Sequence, residues 1–417
     1  MIKIKKINNT FSQDEINSFI NNLDTYSMED ITEWLKAIKT FGLSDEETSN
    51  LTLAMAKSGQ ILSWDGLEPT IDKHSTGGIG DKITLLFAPL ISACGINIPK
   101  LSGRGLGITG GTIDKLESIS GFRTNLSLDE IKSQLKNIGI VVTGAMKNLA
   151  PADKKLYAIR DVTNTVDSIP LIASSVMSKK IATGSNNIIL DVKCGSGAFM
   201  KTEDEAVLLA QKMVAIGKHL NKNIKACVTY MNEPLGFSIG NSLEIEEVLE
   251  VLNGKEVQDL VELTVFLAKE ALELLSIDVS LEKLKRILLG GEALSKFEKM
   301  IEAQGGNLNI PLPKSEKLKH YISSQEGYLQ NIDAYLIGEV VHDLGAGRHS
   351  VEDKIDYGVG IRLLKKRGDF VKAGENILEL HVKNDSQYDR ALEKLNKSIT
   401  IGNVKPVIPT LVKNILC

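Results

Sequence analysis

The stretch KLSGRGLGITGGTIDKLES, Lys100 to Ser118, holds five glycines between Gly103 and Gly111, and three of them (Gly105, Gly107, Gly110) spell G-x-G-x-x-G. That spacing is the dinucleotide-binding pattern. It carries that meaning only between a buried strand and a helix, with an acidic residue about twenty positions on. Lys100, Leu101, Ser102, Gly103 and Arg104 do not read as the end of a buried strand, and Leu128, Asp129 and Glu130 read as the start of a separately capped helix. The context argues against a dinucleotide. A second glycine stretch, IDKHSTGGIGDKITLL (Ile71 to Leu86), lies upstream and lacks the Gly-Lys-Ser/Thr that closes a nucleotide P-loop. Each stretch sets a lysine (Lys73, Lys100) and hydroxyls (Ser75, Thr84; Ser102, Thr112) beside glycines that let backbone N–H groups approach a ligand. Those donors together suit a small oxyanion such as phosphate. Two glycine-rich turns with solvated lysines are the plainer alternative; the matching composition of the two favours phosphate.

Outward from these loops, the 417 residues are too many for one ordinary core and imply two or three domains. Forty-nine basic against 53 acidic residues give a net charge of −4, which argues against a general nucleic-acid binder. No run approaches the roughly 18 apolar residues of a membrane span, and the basic N-terminus has no apolar core of signal-peptide length. Cys94, Cys194, Cys227 and Cys417 are dispersed without a C-x-x-C pair, which predicts a reduced, cytoplasmic chain. The six histidines show no zinc-binding spacing.

Three helix starts open the chain. Ser12 with Glu15, Ser27 with Asp30 and Ser44 with Glu47 are capping-box pairs, each ahead of apolar residues at helical spacing. From about residue 70, apolar runs (ITLLFAPLISACGINI, IGIVVTGAM, NIILDVK, IKACVTYM) alternate with helical patterns, as strands of a largely parallel sheet do. Its sites belong at the carboxyl ends of strands. The last eighty or so residues read as short strands between glycine turns, with Leu378, Leu380 and Val382 alternating inward. Gly368–Val371 and Ala373–Glu375 resemble the turn of lipoyl/biotinyl-type barrels. With no lysine convincingly placed in a tight hairpin, a structural module is the reading.

SGRGLGITGGTIDKLE (Ser102 to Glu117) resembles the signature of the thymidine and pyrimidine-nucleoside phosphorylases. DKHSTGGIGD, LAPADKKLYAIRDVTNTVDSIPLIASSVMSKK, DVKCGSGAFM and PLGFSIGNSLEIEE resemble the family in the same order, as does the region from GAGR to IDYGVG. The resemblance implies an α/β protein: a small all-α lobe plus a larger lobe with a mixed, mainly parallel sheet and a C-terminal α+β barrel-sandwich-like module. Residues 1–66 and 150–185 would form the helical domain, 67–149 and 186–330 the phosphate-binding domain, and 331–417 the module. The implied activity is reversible phosphorolysis, in which inorganic phosphate and a pyrimidine nucleoside give free base and a pentose 1-phosphate, in a homodimer without an organic cofactor.

By the same resemblance Lys73, Ser75, Thr84, Ser102 and Thr112 would hold phosphate, with Lys100 nearby. His74, Arg160, Ser175 and Lys179 would bind the base, and His74, Arg160 and Lys179 would stabilise it as it leaves. Asp72 and Asp153 would orient His74 and the basic residues. A lysine at position 100 goes with members that accept both uridine and thymidine; a strict thymidine enzyme has methionine there. Some broad-specificity members hold a potassium ion, for which the matching positions are Gly80, Lys82, Leu235, Ser238 and Glu247. Two residues depart from the family: Ile108 stands where histidine is usual, and Ala145 where glutamine is common. An anthranilate phosphoribosyltransferase-like enzyme shares the expected architecture and glycine-rich loops, but uses Mg²⁺ and needs an acidic pair to hold it. A nucleoside-binding protein without turnover is the non-enzymatic rival.

Overall fold

The computed structural model describes all residues except 1–3, 7, 8, 106, 147, 349, 351 and 352, so Leu106 of the glycine loop lies outside the description. Helices α1 (Gln13–Asn21), α2 (Met28–Phe41) and α3 (Asp45–Lys57) open the chain. Each begins with the expected reciprocal capping box, at Ser12/Glu15, Ser27/Asp30 and Ser44/Glu47. Their apolar stripes meet around Trp34, which stacks on Phe19 with ring centroids 4.1 Å apart.

Strand β1 (Asp72–Ser75) leads through the first glycine stretch into α4 (Ile83–Ala93). Most of the apolar run after Ile83, expected as a strand, is therefore a helix. Every residue from Ile83 to Ser92 is buried. A run that is apolar all round suits a helix enclosed on every side as well as it suits a central strand, and eleven residues is long for a strand. Strand β2 (Ile98–Ser102) is followed by α5 (Thr112–Leu116), α6 (Leu128–Ile138) and β3 (Ile140–Gly144), and β2 and β3 pair in parallel. Lys100 and Leu101 thus do lie in a buried strand, against expectation. Lys100 is tolerated there because Asp72 lies beside it, 3.7 Å from its ammonium.

Helices α7 (Pro151–Val162) and α8 (Ile169–Ala182) return to the first lobe, where Leu156, Ile159 and Leu171 join the Trp34 cluster. Next come β4 (Asn187–Cys194), α9 (Glu203–His219) and β5 (Asn223–Tyr230), and β1, β4 and β5 lie side by side in parallel. Ile188, Leu190 and Val192 pack against Leu209 and Met213 of α9, while Ile189 faces the large core that contains α4. Both sheet faces are covered, as parallel strands require.

After β6 (Ser238–Ile239), the helices α10 (Asn241–Leu252), α11 (Gln258–Leu274), α12 (Leu281–Leu289) and α13 (Glu292–Ala303) surround α4. The remainder runs β7 (Lys317–Ile322), β8 (Gly327–Ile332), α14 (Ala334–Val341), β9 (Gly360–Leu363), β10 (Phe370–Val371), β11 (Asn376–Val382), α15 (Asp385–Ser398), β12 (Ile399–Gly402) and β13 (Val412–Leu416). These strands build two open sheets, β6-β9-β11-β7 and β10-β8-β12, and among the described residues no sheet closes into a barrel. Leu378, Leu380 and Val382 are all fully buried, as their alternation predicts. Strands β7 and β8 begin before residue 331 yet pair with strands that follow it. The last strand, β13, returns antiparallel to β5 and makes the central sheet mixed but mainly parallel. Among the described residues no helix is long and apolar enough to cross a membrane.

Candidate active site

Alternation along β1 arranges the site. Successive side chains of a strand point to opposite faces, so Lys73 and Ser75 share one face, and Asp72 and His74 the other. Strand β1 pairs with β4 in parallel, Ser75 opposite Asp191 and Lys73 opposite Ile189. The Lys73 face looks toward α4; the His74 face looks toward α8 of the helical lobe.

On the first face Lys73 Nζ lies 3.0 Å from Asp191 Oδ2 and donates to Thr84 Oγ1 at 3.5 Å. Lys193 Nζ lies 2.9 Å from the same Asp191 oxygen, and Thr229 donates to the other at 2.6 Å. Lys73, Asp191 and Lys193 are fully buried. Ser75 donates to Asp81, whose carboxylate also accepts from Ile83 N at 3.3 Å. Burial favours the protonated acid at Asp81, but the Lys193 and Lys73 charges and the Ser75 hydroxyl outweigh it and hold the carboxyl far below its usual range. Two buried ammoniums, balanced by the Asp191 and Asp81 carboxylates, stand with the Ser75 and Thr84 hydroxyls as the donors that an anion would meet.

On the second face Lys180 donates to Asp72 Oδ2 at 2.6 Å, Thr183 donates to it at 3.4 Å, and Lys100 Nζ lies 3.7 Å from Asp72 Oδ1. Burial and the Lys180 charge bring Lys100 down to about 7, against the pull of Asp72. Burial, followed by the charges of Lys180, Lys100, Lys179 and Lys73, lowers His74 well below its ordinary value. The imidazole is therefore neutral at neutral pH, and its buried Nε2 has no hydrogen-bond partner. Lys179 reaches Asp153 at 2.8 Å and donates to Ser175 Oγ at 3.2 Å, one helical turn away. Arg160 donates to three backbone carbonyls, Thr165 O, Leu171 O and Val166 O, at 3.3, 3.1 and 2.8 Å. It thereby fixes the connection between α7 and α8, and two of its five N–H groups are not used by these three bonds.

The second glycine loop starts at Ser102, which ends β2, and finishes at Thr112, which opens α5. Part of its backbone is committed internally: Gly105 N donates to Asp114 Oδ2 at 2.6 Å, and Arg104 pairs with Asp114 and Glu117. A Cβ on Gly111 would lie 2.1 Å from Gly105 N, so the loop folds back on itself too tightly for any side chain there. Arg348 reaches the same Asp114 at 3.0 Å and ties the loop to the C-terminal region.

Residues 67–294 match the glycosyl transferase family a/b domain, and residues 328–402 match the pyrimidine nucleoside phosphorylase C-terminal domain. The chain is 43% identical to the pyrimidine-nucleoside phosphorylase of Staphylococcus epidermidis strain ATCC 12228, covering 100% of this chain and 98% of that one. It belongs to the pyrimidine-nucleoside phosphorylase family. The phosphorylases of that name from Staphylococcus haemolyticus and Staphylococcus aureus strain MSSA476 are also 43% identical to it, with the same coverage. Among solved structures, the anthranilate phosphoribosyltransferase of Thermus thermophilus superposes with a TM-score of 0.55 at 16% identity, over 71% of this chain and 96% of that one. At that identity the likeness is one of fold alone.

Within this phosphorylase family, the two departures read from the sequence have structural places. Ile108 packs against the main core, and its Cδ1 would lie 3.4 Å from a Cβ built on Gly338 of α14. Ala145 N donates to Ser102 O at 3.1 Å. Lys82, read as one of five potassium positions, places an ammonium among the others: Nζ donates to Leu235 O, Ser238 O and Glu247 Oε2. Sequence reasoning missed Lys180, Asp191, Lys193 and Asp81. The signal for Asp191 and Lys193 was available, since they lie two apart at the carboxyl end of a buried strand, in the quoted DVKCGSGAFM motif.

Proposed function

We propose that this chain is a broad-specificity pyrimidine-nucleoside phosphorylase. Family membership gives the general reaction, phosphorolysis of pyrimidine nucleosides. The observation that carries the residue roles is the division of β1, with an oxyanion-suited lysine and hydroxyl cluster on one face and a neutral histidine near Lys180, Lys100 and Lys179 on the other.

In this reading Lys73, Ser75, Thr84, Ser102 and Thr112, with Lys100 nearby, hold phosphate next to the sugar. Phosphate is already anionic, so it needs positioning more than a general base. Its oxygen bonds to C1′ as the C1′–N1 bond breaks, and the electron pair goes to the pyrimidine. Lys179 and Arg160 stabilise the negative charge that develops on the base, as preorganised charges do. Ser175 holds a base edge. The neutral His74 donates a hydrogen bond rather than a proton; four lysine charges around it oppose the imidazolium. Asp153 orients Lys179, and Asp72 orients Lys180 and Lys100. Phosphate ligands sit on one lobe and Arg160, Ser175 and Lys179 on the other, so closure of the cleft brings the substrates together.

The helical lobe is residues 1–66 and 150–185, the phosphate-binding domain 67–149 and 186–330, and the remainder a structural, barrel-sandwich-like module whose last strand returns to the central sheet. Dimerisation through the helical lobe accords with exposed Met28, Phe41 and Val162 on that lobe. A reducing, cytoplasmic setting accords with the four free cysteines. The chemistry calls for no organic cofactor, since nothing is oxidised or reduced.

Lys100 separates the broad enzyme from a strict thymidine enzyme. A lysine beside the sugar can donate to a 2′-hydroxyl, whereas methionine cannot. Uridine and thymidine are both expected to be cleaved, and Lys100→Met is expected to raise KM for uridine more than for thymidine. Absence of uridine cleavage by the unaltered chain rejects the broad reading. Because Lys100 titrates at about 7, it is only partly protonated at neutral pH, and an arriving phosphate dianion raises its pKa. Phosphate binding at or just above neutral pH is therefore expected to take up a fraction of a proton, measurable by calorimetry in two buffers and removed by Lys100→Met.

A further inference from the structure

Three oxygens converge on one point between the loop entering α4 and the loop entering β6, and the point is occupied by Lys82 Nζ. It donates to Glu247 Oε2 at 2.7 Å, Ser238 O at 2.9 Å and Leu235 O at 3.0 Å. An ammonium has three hydrogens and here has three acceptors. The side chain is fully buried. Glu247 is satisfied in turn, accepting from Phe237 N at 2.7 Å and Ser238 N at 3.1 Å.

The walls of this cage are glycine for steric reasons. Gly80 has φ +68°, and a Cβ there would lie 2.4 Å from Leu235 O. Gly236 has φ +66°, and its Cβ would come within 2.8 Å of Lys82 Nζ itself. Two carbonyls and a carboxylate aimed at one point form the donor set of a hard cation. Potassium and ammonium carry the same charge and are similar in size. With Nζ in the centre, the five residues assigned to potassium by resemblance do not fit the ion: there is no remaining space among the oxygens, and a second cation would meet like charge away from water.

We propose that Lys82 is a tethered substitute for a monovalent cation, so that this chain carries the cation of that site covalently and binds no potassium there. The ammonium ties the loop that carries Asp81 and leads to Thr84 to the β6 loop and to α10. Glu247, 2.7 Å away, supplies the counter-charge that a buried ammonium requires. Lys82 itself is not among the substrate residues, and its test has a stability readout that does not depend on turnover.

The full chain is exchanged into tetramethylammonium chloride and titrated with KCl at constant ionic strength, following thermal unfolding and phosphorolysis of thymidine. Neither is expected to respond to potassium. Lys82→Thr, which empties the cage while keeping a hydroxyl, is expected to unfold at lower temperature and to recover several degrees, saturably, on adding KCl. Saturable stabilisation or activation of the unaltered chain by potassium overturns the proposal. So does a Lys82→Thr protein as stable as the unaltered chain and indifferent to potassium, because the ammonium then contributes nothing at the cage. If Lys82→Thr is insoluble, Lys82→Met takes its place in the same titration, and the potassium response of the unaltered chain remains decisive by itself.

Discussion

Lys179→Met is expected to lower kcat by about 10²–10³-fold, the usual effect of removing one group that stabilises charge developing in a transition state. kcat/KM should fall in proportion, because an interaction made only in the transition state is lost equally from both. The side chain suits the role: it is 48% exposed, yet held by Asp153 at 2.8 Å and Ser175 at 3.2 Å. The same contacts create a stability effect that must be separated from catalysis. Asp153 is buried, and losing its partner leaves a carboxylate there, at a cost of about 1–3 kcal/mol. Exposure of Lys179 places the effect toward the low end. Adding Asp153→Asn removes the stranded charge, so the double variant is expected to regain stability without regaining turnover. Recovery of both together would assign Lys179 a structural role only.

Asp72→Asn is expected to have the largest effect on stability, about 3–5 kcal/mol, the scale of breaking a buried ion pair by removing one partner. Asp72 is fully buried and faces Lys180 at 2.6 Å and Lys100 at 3.7 Å. Both lysines are buried as well, so neutralising the carboxylate leaves the Lys180 ammonium, and Lys100 wherever it is protonated, without a counter-charge. The loss is pH-dependent in a definite direction. Lys100 titrates at about 7 in the folded chain and near 10.4 when unfolded. Between those values the folded state holds fewer protons than the unfolded state, so stability rises with pH across that window. Removing the Asp72 charge depresses Lys100 further and widens the window downward. Urea unfolding near pH 7 and near pH 9 is expected to show the variant recovering part of its loss at the higher pH, more than the unaltered chain gains.

The elements with local causes were legible from residues alone. Ser12/Glu15, Ser27/Asp30 and Ser44/Glu47 each satisfy a helix end within four residues, so no tertiary information was needed to place α1, α2 and α3. The run from Ile83 was not legible in the same way. Its residues are apolar all round, and only the helices α11 and α13 packed on it distinguish a buried helix from a buried strand. Lys100 shows the same limit, because a lysine reads as exposed until Asp72, 28 positions earlier, is placed beside it. The base-side constellation was carried by resemblance, and Lys179 and Ser175 do meet across one helical turn. The buried lysines Lys180 and Lys193 went unnoticed because their partners are remote or concealed along a strand, and charge alone gave no sign of burial.

Lys82 is the most instructive residue. The resemblance places it among the positions of a cation site, and three distances show its own side chain supplying positive charge there.

The central claim is tested most directly by following release of free base from uridine, thymidine and deoxyuridine with and without inorganic phosphate, with adenosine as the control. The account predicts base release from all three only when phosphate is present, a pentose 1-phosphate as the co-product, and no reaction with adenosine. Base release without phosphate, or no release from any of the three with phosphate present, contradicts it.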